Sequence, residues 1–245
     1  MAKAILITGA SSGIGKATAD HFLAQGWNVG VLARRAETLD ALYGDQQTAL
    51  CLPCDVSDEA QVDKAFDDFI ARFGRLDVLF NNAGIFTPGA PIDEIPVAHW
   101  KSTVDVNLTG SFLCARKAFG IMRRQTPQGG RIINNGSISA HTPRPGSSPY
   151  TATKHAITGL TKSVALDGRP FNINCGQIDI GNAATEMVTS LSNQRIAKDP
   201  TAQPDPTMPV LEAARAVMHM ADLPLDTNVL FMTVMASQMA FVGRG

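Results

Sequence analysis

The sequence predicts an α/β fold: a doubly wound parallel sheet of about seven strands with helices on both faces. Three observations predict it. Short, continuous apolar runs alternate with helical patterns along the chain. The first run, Ala4-Ile5-Leu6-Ile7, leads into a glycine-rich turn and then a helical pattern. Polar residues of chemical interest gather just past the ends of the apolar runs, where open parallel sheets bind their ligands.

Each element follows from local sequence. Ala4-Ile5-Leu6-Ile7 is apolar throughout, as a strand buried on both faces must be. Thr8-Gly9-Ala10-Ser11-Ser12-Gly13-Ile14-Gly15 is the turn. The helix after it carries Ala17, Ala19, Phe22 and Leu23 and stops at Gly26. Asn28-Val29-Gly30-Val31-Leu32-Ala33 reads as the second strand, with Arg34-Arg35 behind it. Thr48-Ala49-Leu50-Cys51-Leu52 is the third, closing on Asp55-Val56. An amphipathic helix over 60–73 places Val62, Phe66, Phe69 and Ile70 on one face. Leu76-Asp77-Val78-Leu79-Phe80 is the fourth strand and ends in Asn81-Asn82-Ala83-Gly84.

Residues 85–96 carry three prolines and read as loop. A helix is expected over 97–124, with Asn107 in its middle and Gly110 after it. Both residues weaken a helix, so either a functional kink or simple tolerance is implied. Gly130-Arg131-Ile132-Ile133-Asn134-Asn135 is the fifth strand, followed by Gly136-Ser137-Ile138-Ser139. Pro149 suits the first turn of a helix that carries Tyr150 and Lys154. Phe171-Asn172-Ile173-Asn174-Cys175 is expected as the sixth strand. The stretch 177–209 is long, polar and proline-rich towards its end, with a short helix near 183–191. A segment of that length suits a mobile substrate lid. A helix over 211–220 and a last strand over 228–232 complete one domain spanning residues 1–245.

The chemistry begins with Tyr150-Thr151-Ala152-Thr153-Lys154. Four-residue spacing puts phenol and ammonium one turn apart on one helix face. A free tyrosine has a pKa of about 10, and a nearby cation favours its ionised form. The pair can therefore serve as a proton-transfer device, although the same spacing also suits a helix face that merely carries both. The glycine turn lets backbone approach a pyrophosphate, and the helix N-terminus behind it offers free N–H groups. Dinucleotide folds often hold an acid about 20 residues past the glycines, for a ribose 2′-hydroxyl. Ala33 stands there, with Arg34 and Arg35 next. An arginine can grip a 2′-phosphate that an acid would repel. Two solvated arginines are the alternative. Asp55 suits either an adenine amino group or the cap of the following helix.

Composition excludes other classes. The 21 basic and 22 acidic residues leave a net charge of −1, which does not point to nucleic acid. No apolar run reaches the roughly 18 residues of a membrane span. The strand-like run begins at once, leaving no room for a signal peptide. The four cysteines suit a reducing, cytoplasmic setting. Cys51-Leu52-Pro53-Cys54 is a lone pair without further ligands, so no metal site is expected.

The turn Thr8 to Gly15, the run Asn81-Asn82-Ala83-Gly84, Asn107, Ser137 and the pair Tyr150/Lys154 follow one order and spacing. Together they closely resemble the short-chain dehydrogenase/reductase family over essentially the whole chain. The resemblance implies a seven-stranded Rossmann sheet and hydride transfer between a nicotinamide and a carbonyl or alcohol. It implies Tyr150 as general acid or base, Lys154 on the nicotinamide ribose and Ser137 on the substrate oxygen, with Ser139 a second candidate. Asn107 would anchor a proton-relay water. The dinucleotide would lie against Gly9, Ser11, Ser12, Gly13, Ile14 and Gly15, against Asp55 and Val56, and against Asn82, Ala83 and Gly84. Arg34 and Arg35 favour NADP(H), with NAD(H) possible, since Ser12 stands where many NADP-dependent members carry a basic residue. Gly176 and Ile178 would flank the nicotinamide. Cys175-Gly176 replaces the family's usual Pro-Gly and Ile180 the threonine four residues past that glycine; Thr185 stands in after an insertion. The expected assembly is a homotetramer or homodimer. The other readings are an NAD(H)-dependent alcohol dehydrogenase and a non-catalytic dinucleotide-binding sensor.

Overall fold

In the computed structural model, which describes residues 2–199 and 201–242 apart from the side chains of Gln194 and Lys198, seven strands form one sheet. They are β1 (Ala4–Thr8), β2 (Asn28–Ala33), β3 (Ala49–Pro53), β4 (Val78–Asn81), β5 (Gly130–Asn135), β6 (Ile173–Gly181) and β7 (Phe231–Met235). Every neighbouring pair is parallel and the order is β3-β2-β1-β4-β5-β6-β7. The order reverses between β1 and β4, which is where a Rossmann sheet opens its ligand crevice.

Helices cover both faces. Helices α1 (Gly13–Ala24), α2 (Ala36–Tyr43) and α8 (Val210–Asp222) pack one side over Ile5, Ile7, Val29, Val31 and Phe80. Helices α3 (Glu59–Phe73), α5 (Ser111–Arg124) and α6 (Ser148–Gly168) pack the other over Leu6, Leu32, Leu79 and Ile132. Helix α4 (Val97–Val104) rests on α6, and α7 (Glu186–Lys198) follows β6. Successive residues of β1 alternate between the two cores, as the pleat requires, so the strand is apolar on both faces.

Several expectations need correction. The sixth strand does not end at Cys175. It runs to Gly181, because Gly176 is a packing glycine: a Cβ there would stand 2.2 Å from the Val229 carbonyl oxygen. The segment 177–209 is therefore strand to 181 and helix from Glu186 to Lys198, and among its described residues only 182–185, 199 and 201–209 lie outside strand and helix. The expected single helix over 97–124 is interrupted by a π turn, Asp105–Gly110, around Asn107. Helix α2 has no clear signature in the sequence: its eight residues bury only Leu39 and Tyr43. Asp58, not Asp55, caps α3, accepting from the Gln61 N–H at 3.0 Å. Asp55 instead accepts from the Ser57 N–H and hydroxyl. Residues 243–245 lie outside the described residues.

The base of β5 is anchored by Arg131, which is 1% exposed. Its guanidinium donates to the carbonyls of Leu223, Pro224 and Thr227 and to Asn228 Oδ1 at 3.0–3.1 Å. No carboxylate is among these partners, and burial shifts its pKa downward. The arginine ties the α8–β7 connection to the strand whose far end carries Asn135.

Candidate active site

Beyond the carboxyl ends of β1, β2, β4 and β5 lies a cleft of about 430 Å³. Its lining gathers most of the residues singled out from sequence: Gly9, Ser11, Ser12, Gly13, Ile14, Arg34, Arg35, Asp55, Val56, Asn82, Ala83, Gly84, Tyr150 and Lys154. The topology brings them together, since each follows a parallel strand whose end opens on the same edge.

The glycine turn shapes the floor. Gly9 has φ +68° and Gly13 φ +54°, conformations that disfavour side chains. A Cβ on Gly15 would stand 2.3 Å from the Gly9 carbonyl oxygen, so α1 can begin hard against β1 only with glycine there. Ser12 precedes α1 without capping it through its side chain, and the first turn carries no acid. The N–H groups there stay available to an anion.

A run of hydrogen bonds joins this turn to Lys154. Thr8 Oγ1 accepts from the N–H groups of Asn82 and Ala83, each at 2.9 Å, and Asn82 Nδ2 donates to the Thr8 carbonyl. Asn135 Nδ2 donates to Asn82 Oδ1 at 2.9 Å. Lys154 Nζ donates to the Asn135 carbonyl at 2.7 Å, and Lys154 is 4% exposed. Three strand ends and helix α6 are thereby held in one register. Asn135 Oδ1 is buried and has no partner among the described atoms, leaving an acceptor in the cleft wall.

Tyr150 is half-buried and its ring lies 5.1 Å from that of Phe86, centroid to centroid. Lys154 Nζ sits 5.5 Å from the tyrosine ring centroid. One turn of α6 thus sets the ammonium over the tyrosine ring. Ser137 follows β5; its Oγ accepts from the Ser139 N–H at 3.1 Å. Asn107 is buried in the π turn behind Gly84. Its side chain accepts from the Ile85 N–H at 2.8 Å and donates to the Ile85 carbonyl at 3.0 Å. Ser137 and Asn107 do not line the cleft itself; Asn107 backs the wall at Gly84 and Ile85, and Ser137 lies where β5 ends, against Asp179.

Gly176 and Ile178 are not brought to the cleft. Both lie in the body of β6, and Ile178 is a core residue. Thr185 does line it, with Glu186 and Met187, at the start of α7. With β6 ending at Gly181, Thr185 falls four residues past the terminal glycine, which is the spacing sought at Gly176. The insertion inferred from sequence is simply a longer strand. Asn135 also belongs to the wall, and Phe86 packs on Tyr150; neither carries a motif in the sequence. Asn135's position at the end of an apolar strand was the available signal.

Buried cysteines are held as neutral thiols. Burial, with Asp55 and Asp58 adding to it, pushes the Cys54 thiol up to about 12, and burial alone does the same to Cys175. Among the described residues no group of three or more His, Cys, Asp or Glu is arranged to hold a metal ion.

The short chain dehydrogenase family model matches residues 3–196. The 3beta-hydroxysteroid dehydrogenase of Mediterraneibacter gnavus is 35% identical over 180 residues, which take in 72% of this chain and 64% of that protein. Among solved structures, the 3-ketoacyl-(acyl-carrier-protein) reductase from Brucella melitensis complexed with NADH superposes with a TM-score of 0.86 at 27% identity, over 96% of this chain and 97% of that one. ElxO with NADP bound gives a TM-score of 0.85 at 27% identity, over 96% and 98%. Sheet order, glycine turn and these matches agree, and the chain belongs to the short-chain dehydrogenase/reductase family, oxidoreductases that act on CH–OH and C=O groups with nicotinamide cofactors.

Proposed function

We propose that this chain is a cytoplasmic, NADP(H)-preferring reductase of a small ketone or aldehyde, with Tyr150 as the proton donor. The observation that carries the reading is the meeting of Tyr150 and Lys154 at one side of a cleft whose other side presents Arg34 and Arg35. The residues present suit a dinucleotide: a glycine floor that a Cβ would fill, an uncapped helix start for phosphates, and an unpartnered amide oxygen in the wall. A nicotinamide bound there supplies the hydride. Tyr150 gives its proton to the substrate oxygen in reduction and takes it back in oxidation. Ser137, whose oxygen already accepts from Ser139, keeps its hydroxyl proton for that same oxygen. Lys154 holds positive charge beside the phenol and a ribose, and Asn107 braces the wall at Ile85. Free thiols at all four cysteines support the cytoplasmic setting.

Turnover of a panel of carbonyl compounds with NADPH and with NADH tests the proposal. Tight dinucleotide binding without turnover of any compound would favour a sensor instead. NADPH should exceed NADH in kcat/KM. Both arginines are exposed, so Arg34→Ala should leave the fold intact. A charge-assisted hydrogen bond contributes roughly 1.5–3 kcal/mol, so NADPH should lose about ten- to a hundredfold while NADH changes little. Equal use of the two cofactors by the parent protein would refute the preference.

The reading includes a homodimer or homotetramer. Val97, Trp100, Phe112 and Leu166 are exposed on α4, α5 and α6, and apolar groups in such numbers on neighbouring helices rarely face water. Light scattering at micromolar concentration should give a multiple of the monomer mass; a monomer would end this part of the reading.

A further inference from the structure

Asp179 sits in β6 between Ile178 and Ile180 and is 1% exposed. Burying a carboxylate is unfavourable unless it is fully paired, and an apolar residue in its place would often stabilise as well or better. Its partners show what it holds. Oδ1 accepts from the Ser137 N–H at 2.9 Å and from Gln177 Nε2 at 2.7 Å. Oδ2 lies 2.8 Å from His141 Nε2. The short loop Ser137-Ile138-Ser139-Ala140-His141 is thus gripped at both ends by one carboxylate. The two strands are shaped for this. A Cβ on Gly136 would stand 2.0 Å from Asp179 Oδ1, so only glycine lets the end of β5 settle onto the acid.

The clamp is referenced to helix α6. Gln177 Nε2 also donates to Thr158 Oγ1 at 3.2 Å, and Thr161 Oγ1 donates to Gln177 Oε1 at 3.4 Å. Thr158 and Thr161 lie on the same helix as Tyr150 and Lys154. Fixing the loop against this helix fixes the position of Ser137 relative to the element that carries Tyr150. His141, whose side chain is 45% exposed, closes the second oxygen from the solvent side.

We propose that Asp179, together with His141, is a positioning residue that clamps loop 137–141 and so aims the Ser137 hydroxyl at the substrate oxygen. The inference rests on the reading of Ser137 as a donor to that oxygen. It assigns no contact between Asp179 and substrate or cofactor; the acid acts through the serine.

The test is a mutant cycle on the full chain, comparing the parent with Ser137→Ala, Asp179→Ala, Asp179→Asn and the double variant Ser137→Ala/Asp179→Ala. For each, kcat and KM are measured on one carbonyl compound the parent reduces, with rates divided by NADPH-binding sites counted by calorimetry. Loss of one donor to a developing oxyanion lowers turnover by about 10²-fold or more, the expectation for Ser137→Ala. Misplacing that donor by an ångström can approach the same loss, so Asp179→Ala should lower kcat by about ten- to a hundredfold with NADPH affinity unchanged. Asparagine keeps an acceptor for the Ser137 N–H and should restore most of the rate. The double variant should be no slower than Ser137→Ala, because one defect already contains the other.

Parent-like kcat in Asp179→Ala, multiplying losses in the double variant, or a loss that vanishes per binding site would overturn the clamp while leaving the serine reading standing. Parent-like kcat in Ser137→Ala would instead remove the serine reading and the clamp with it. If Asp179→Ala yields no folded protein, His141→Ala takes its place in the cycle, with the same non-additivity expected and additive losses overturning the proposal.

Discussion

Tyr150→Phe should lower kcat by about 10²–10⁴, the usual contribution of a positioned acid-base group, and leave NADPH affinity essentially unchanged. The substitution removes a single oxygen. The ring remains held against Phe86, 5.1 Å away, and the helix start with Pro149 is untouched. Nothing in the glycine floor or at Arg34 senses the change. Stopped-flow measurement of hydride transfer alongside a calorimetric NADPH titration separates the two effects. Near-parent turnover would remove Tyr150 from the mechanism, and a parallel collapse in NADPH affinity would recast it as a binding residue.

Lys154→Met should differ in kind from Tyr150→Phe, because it strikes both functions. Methionine keeps most of the length and apolar stem, so the buried site stays filled. What disappears is a buried charge donating to the Asn135 carbonyl at 2.7 Å. Losing a charged hydrogen bond weakens NADPH binding by about tenfold or more. Losing the cation beside the phenol removes roughly another 10² in turnover. We expect kcat/KM to fall on the order of 10³, the product of these two. Unchanged NADPH affinity in this variant would sever Lys154 from the cofactor.

Much of this arrangement was legible in the chain. Strand, glycine turn and helix at residues 4–24 declare themselves locally, because each demand falls on a few adjacent residues. The Tyr150/Lys154 pair was legible because a helix converts a four-residue spacing directly into proximity. The end of β6 was not. Gly176 looks like a terminator, but its reason is the Val229 carbonyl pressed against it from a distant segment. Asp179 is illegible in the chain for the same kind of reason. A lone acid in Ile-Asp-Ile carries no motif, and its partners Ser137 and His141 come from another strand's loop. The interruption at Asn107 was half-visible: asparagine and glycine marked a weak point in the helix, while the partner of the Asn107 side chain is the distant Ile85, whose N–H donates to it and whose carbonyl accepts from it.

That π turn bears on how the chain can change length. A π turn amounts to one surplus residue lodged in an α-helix. Each residue advances a helix by about 100°, so the surplus sets the rotational phase of α5 apart from that of α4. The two helices spend this freedom differently. Helix α4 buries Thr103, while α5 turns Cys114, Ala115, Ala118 and Met122 into the core beside β4 and β5. A descendant that shed the surplus residue would regain a regular helix and swing that apolar face towards water in the same step. Loss of one residue here is therefore opposed by the core as well as by Asn107.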